Sequence, residues 1–122
     1  MRKLFTILVA VLLTATVWAQ SPEKMSYQAV IRDASDNLIT DTQIGMQISI
    51  LQGSASGTAV YVETQVPTTN ANGLVSLEIG AGTVESGDFA TIDWANGPYF
   101  IKTETAVEAP LTTYTITGML FI

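Results

Sequence analysis

Eleven carboxylates stand in this chain with neither histidine nor cysteine to work beside them. Histidine is the commonest general base near neutral pH and the commonest transition-metal ligand, so both roles lose their usual residue. The Ser-His-Asp route is closed. A Ser-Lys pair would have to use Lys24, in a polar lead, or Lys102, on an outward strand face, and neither is assigned. Glycoside hydrolysis needs two carboxylates roughly 5 to 10 Å apart. Glu63 and Glu78 read as solvent-facing residues of neighbouring strands, where solubilising charge is the ordinary role of an acid. Asp33, Ser35 and Asn37 set oxygen atoms at alternate positions, as calcium loops do, but the bidentate acid that closes such a loop is missing and a polar turn explains the same residues. Gly80-Ala81-Gly82 lacks the lysine and following helix of a phosphate loop and reads as a strand end. No catalytic residue and no cofactor is assigned. Aromatic faces remain as ligand platforms. Tyr61 and Phe100 are read on outward strand faces, and Trp94 joins them, although core packing also accounts for Trp94 and Tyr99.

The elements that must position these residues are strands. Beyond residue 24 the apolar pattern has period two. Tyr27, Ala29 and Ile31 alternate with Gln28, Val30 and Arg32, and Asp33 to Asn37 forms a turn. Ile44, Met46, Ile48 and Ile50 share one face of a second strand. Val60, Val62, Thr64 and Val66 are read inward on a third, opposite Tyr61, Glu63 and Gln65. Asn72-Gly73 marks a reverse turn, and Val75, Leu77 and Ile79 face inward on a fourth. Residues 83–97 are less regular, with Phe89, Ile92 and Trp94 placed to cover one end of the core from a loop or a helical turn. Tyr99, Ile101 and Thr103 alternate with Phe100, Lys102 and Glu104, and Thr112 to Ile122 makes a last strand. Short strands with no helix of any length between them favour hairpins over parallel βαβ units. The expected fold is all-β, an antiparallel β-sandwich of immunoglobulin-like or prealbumin-like type.

The first residues predict export. Met1-Arg2-Lys3 is a basic start, Leu4 to Trp18 is apolar apart from three threonines, and small residues follow. Val17 and Ala19 suit signal peptidase, which places the cut between Ala19 and Gln20. An apolar run of about sixteen falls short of the roughly 20 residues that span a bilayer. The domain reading is therefore a signal peptide over 1–19, a flexible lead over 20–24 and a β-sandwich over 25–122. After cleavage Lys24, Arg32 and Lys102 face eleven acids, a net charge of −8. Such a surface repels nucleic-acid backbones and anionic lipid. Neither nucleic acid nor, once the signal peptide is removed, membrane is expected as a partner. Without cysteine there is no disulfide and no lipid attachment of the bacterial lipoprotein kind.

Four ordered phrases carry a family resemblance. Ser26-Tyr27-Gln28-Ala29-Val30-Ile31-Arg32-Asp33-Ala34 is the first. Ile48 to Ser54 with Gly57-Thr58, Val60-Tyr61 and Glu63-Thr64 is the second. Thr68 to Gly80 with Gly82 is the third, and Ile92 to Glu104 is the fourth. Together they resemble the N-terminal leader module of exported and surface proteins of the Bacteroidota, over nearly all of residues 24–118. The resemblance implies a non-catalytic β-rich domain ahead of a larger, variable surface region. In that family the strand matching Thr115-Ile116-Thr117-Gly118 leads into a connecting segment. Here Met119-Leu120-Phe121-Ile122 follows instead, which leaves two readings open, a domain incomplete at its C-terminus and a stand-alone domain, with the apolar ending favouring the first.

The functional expectation is a secreted structural or interaction module with no enzyme activity, forming the N-terminal part of a cell-surface protein. Its partners would be other domains or proteins of the surface. The alternative is a carbohydrate-binding sandwich that uses Tyr61, Trp94 or Phe100. Periplasm, cell surface and extracellular medium all remain open as destinations.

Overall fold

A computed structural model describes residues 24–122. The expected signal peptide, the Ala19–Gln20 cut and all of the lead except Lys24 lie outside the described residues. Seven strands follow: β1 (Met25–Val30), β2 (Gly45–Gln52), β3 (Thr58–Gln65), β4 (Leu74–Ile79), β5 (Thr83–Ser86), β6 (Tyr99–Ala106) and β7 (Thr115–Phe121). Single 3-10 turns at Phe89–Thr91 and Trp94–Asn96 lie between β5 and β6. β1 and β4 pair as a two-stranded sheet, and the others form a five-stranded sheet in the order β5-β3-β2-β6-β7. Every pairing is antiparallel, so the all-β, antiparallel class read from the sequence is observed.

The alternating strands show why they form. On β4, Val75, Leu77 and Ile79 are buried while Ser76 and Glu78 are exposed. On β6, Tyr99, Ile101, Thr103 and Thr105 are buried and the residues between them only half so. β2 is the central strand, with a neighbour on each side, and Ile44, Met46, Ile48 and Ile50 are completely inaccessible. Each such side chain contributes roughly 1.5 to 3 kcal/mol through burial. Residues of both sheets meet in a single apolar cluster, with Met25, Tyr27 and Ala29 of β1 packed against it. Turn chemistry sets the register. Asn70 Oδ1 accepts the N–H groups of Asn72 at 2.8 Å and Leu74 at 3.0 Å. Gly73 follows at φ +74°, a conformation that suits glycine.

β3 reverses the sequence reading. Tyr61 and Glu63 are buried, whereas Val66 is 60 % exposed. Tyr61 lies opposite Ile50 and Glu63 opposite Ile48, both on the core face of β2. A shift of one residue exchanges the two faces of a strand. Apolar count alone favours the valine face. The tyrosine face wins because Tyr61 fills the end of the core against Phe89, with ring centroids 5.4 Å apart, and because Glu63 finds donors there. Glu63 and Glu78 are accordingly not solvent-facing residues of neighbouring strands. They belong to different sheets, Glu63 is enclosed, and Glu78 is exposed with Lys24 Nζ 3.7 Å away.

β5 is the strand that alternation did not reveal, since all four of its residues are exposed. It holds its place through backbone pairing with β3. The cover expected from residues 89–94 is present. Phe89, Trp94 and Tyr99 continue the edge-to-face series from Tyr61, with centroids 5.8 and 5.2 Å apart. Asp88 and Asp93 cap the two 3-10 turns by accepting the N–H groups of Ala90 and Ala95.

Candidate functional site

The chemistry-bearing residues fall into three places: an internal carboxylate, a groove beside the 3-10 turns, and the open edge of β7.

The internal carboxylate is Glu63. Tyr61 donates its hydroxyl to Oε1 at 3.0 Å, and the Gly80 N–H donates to the same oxygen. The Gly82 N–H reaches Oε2 at 2.9 Å, and the Gln65 side-chain amide donates there too. That amide also donates to the Glu78 carbonyl at 2.8 Å. Glu63 thus ties β3 to the turn between β4 and β5. A carboxylate only accepts hydrogen bonds, and every partner here is a donor. Gly82 is required, because a Cβ there would sit 2.6 Å from the Thr64 carbonyl and closer still to Glu63. Burial, and then the bond to Glu63, push the Tyr61 phenol well above its ordinary value. Four donors from within the fold meet the two oxygens, so Glu63 acts as an internal strut. The signal in the sequence was Tyr-x-Glu-x-Gln on one strand with Gly-x-Gly at the end of another. Hydropathy counted those residues as outward polar positions.

The groove beside the 3-10 turns holds about 370 Å³ and is bordered by Gln52, Asp88, Asp93, Asn96 and Tyr99. Gln52 Nε2 donates to the Asn96 carbonyl at 2.9 Å, and the Tyr99 hydroxyl donates to the Asp93 carbonyl. Trp94 is half-buried between Phe89 and Tyr99.

The ligand residues expected from the sequence are not brought together. Tyr61 is a core residue, which withdraws it as an outward platform. Trp94 caps one end of the core. Phe100 does lie on the outward side of β6, where its ring is 5.3 Å from that of Phe121 on β7. Asp33, Ser35 and Asn37 share the expected turn. Asp33 Oδ1 accepts the N–H groups of Ser35 and Asn37, each at 2.9 Å. The Asn37 bond, more than any other contact, holds the Asp33 carboxyl below its usual range.

The third place is β7. It pairs with β6 on one side, and on its other side no strand pairs with it among the described residues. No charged side chain occurs from Thr112 to Ile122. Ile116 is 65 % and Phe121 71 % exposed, and Met119, Leu120 and Ile122 are also open to solvent. The opposite edge is quite different. β5 has four residues, includes Glu85 and is bulged against β3. Short length, charge and bulges are the usual protections of an edge strand, and β7 lacks charge and shortness. Its one bulge lies at Thr117, between the pairs Thr103–Gly118 and Glu104–Ile116.

Residues 26–116 match the family model described as Domain of unknown function (DUF8740). No curated protein and no solved structure matches the chain.

Proposed function

The chain belongs to the DUF8740 family, and from that premise we propose an exported, non-catalytic interaction module, the N-terminal part of a cell-surface protein, built as a β-sandwich of immunoglobulin-like or prealbumin-like type. The observation that carries this reading is the β7 edge, an uncharged strand with apolar side chains open to solvent on a chain of net charge −6. Exposed apolar strand edges are places where another strand adds. The acidic groups support a structural role, since Glu63 is spent on the fold's own donors and Asp33 on its own turn. The basic and apolar start of the chain supports export, and the resemblance to leader modules supports a place at the front of a surface protein.

Expression in a Gram-negative bacterium, fractionation and intact mass test the reading. The expected result is a chain outside the cytoplasm that begins at Gln20. A chain retained in the cytoplasm with Met1 in place overturns it.

Glycan binding is the second reading, favoured by the groove where Gln52, Asn96 and Tyr99 stand close to the half-buried Trp94. Trp94 is the one tryptophan left after cleavage at Ala19. Soluble polysaccharide that shifts its fluorescence supports this reading, and an unchanged spectrum rejects it.

A further inference from the structure

From the geometry of β7 we infer that the chain pairs with a second copy of itself, β7 antiparallel to β7, joining two five-stranded sheets into one. The inference rests on the interaction-module reading and names its partner.

Backbone direction is the first support. The Ile122 N–H donates to the Tyr99 carbonyl at 3.0 Å, and Leu120 lies opposite Ile101 in the same ladder. In an antiparallel pair the residues that bond a given neighbour alternate. Leu120 and Ile122 therefore bond β6, while Met119 and Phe121 turn their N–H and C=O groups to the open side.

Register is the second. The bulge at Thr117 interrupts the strand, which leaves Gly118 to Ile122 as its regular stretch. A two-fold axis through Leu120 sets Met119 of one copy opposite Phe121 of the other. Both residues point outward, so the two exchange both backbone hydrogen bonds. The axis also sets Leu120 against Leu120, and Gly118 opposite Ile122.

Side-chain character is the third. Met119 and Phe121 are paired with Lys102 and Phe100 on the outer face, whereas Leu120 is paired with Ile101 on the inner one. The strand is thus apolar on both faces. A partner strand with one polar face matches only half of it, while an identical strand matches both. Charge agrees. Two acidic chains repel over most of their surfaces, but this strip brings no carboxylate side chain toward its copy. Self-complementarity of one patch is what a two-fold interface requires.

Sedimentation velocity on the purified chain, from low to high micromolar concentration, tests the pairing. The expected wild-type result is a dimer that dissociates on dilution. Met119→Lys and Phe121→Lys put a charge on the edge without touching the core, and each is expected to weaken association by ~10-fold or more. Circular dichroism identifies a variant that has lost its fold. In that case hydrogen exchange on the wild type decides, with the Met119 and Phe121 amides slowing as concentration rises. A wild-type monomer throughout, or association that survives both lysines in folded protein, overturns the pairing. Those outcomes leave the exported-module reading standing, since it falls only to an uncut chain kept in the cytoplasm.

Discussion

The Glu63 strut and the β7 edge stand on opposite sides of the central strand β2, and they treat polar and apolar groups in opposite ways. At the strut a charged group is inside, and four donors converge on it. At the edge apolar groups are outside, next to backbone groups that have no partner strand among the described residues. A buried carboxylate is tolerable only when its lone pairs are met, because desolvation costs several kcal/mol when they are not. An exposed leucine costs the fold almost nothing. Burial of unusual polarity therefore points here to architecture, and exposure of unusual polarity points to recognition. The residues whose loss harms the fold most should matter least to a partner, and the reverse.

The largest effect is expected for Glu63→Ala. It removes the acceptor of the Gly80 and Gly82 N–H groups, leaves the Tyr61 hydroxyl facing a void, and should cost about 3 kcal/mol in urea denaturation. A loss below about 1 kcal/mol would show that the strut and the edge are not different in kind. Gly82→Ala comes next, because its methyl must displace Glu63 or the Thr64 carbonyl. Roughly 2 kcal/mol is expected for such overpacking, read from the same titration. Tyr61→Phe should cost about 1 kcal/mol, one hydrogen bond from a set of four.

Tyr61 also adds a pH signature. Its phenol is raised above the ordinary 10.0 in the folded chain, so folding favours the neutral form. The contribution is fully present below pH 10.0 and is lost as pH rises beyond it toward the folded-state value. Thermal melts of the wild type should fall on that alkaline side, and Tyr61→Phe should flatten the fall. An equally steep fall in the variant would assign the loss to another group. The smallest change in stability belongs to Phe121→Lys, within about 0.5 kcal/mol by urea, since the ring is mostly in solvent. A large loss there would mean that its contact with Phe100 supports the fold and that the edge is no separate region.

Much of this architecture was legible in the residues. Val75 to Ile79 and Tyr99 to Thr103 alternate because one face of each strand is the more buried, and period two reports that directly; Ile44 to Ile50 alternate in side-chain type although the central strand also buries Gly45, Ser49 and Leu51 on its other face. The turns at Asp33–Asn37 and Asn72–Gly73 were legible, the first because aspartate and asparagine bond their own backbone and the second because Asn-Gly is a reverse-turn pair. β5 was not, since Thr83-Val84-Glu85-Ser86 buries nothing and is set by pairing alone. The strut was not, because its stability lies in donors contributed from residues 61 to 82, and hydropathy measures each side chain by itself. The same limit turned β3 over. Valine outranks glutamate on any apolar scale, yet the glutamate had partners waiting.

The first and last strands lie in different sheets, and no ladder hydrogen bond joins them. The Tyr27 hydroxyl of β1 lies 3.4 Å from Thr103 Oγ1 on the strand beside β7 and next to Gly118 of β7 itself. Tension applied along the chain from β1 to β7 is therefore carried by side-chain packing between the sheets together with the bonds of Glu63 and Gln65 to residues 78–82. The domain should yield under load by its two sheets parting, at a force set by that packing and those hydrogen bonds, before its backbone ladders shear.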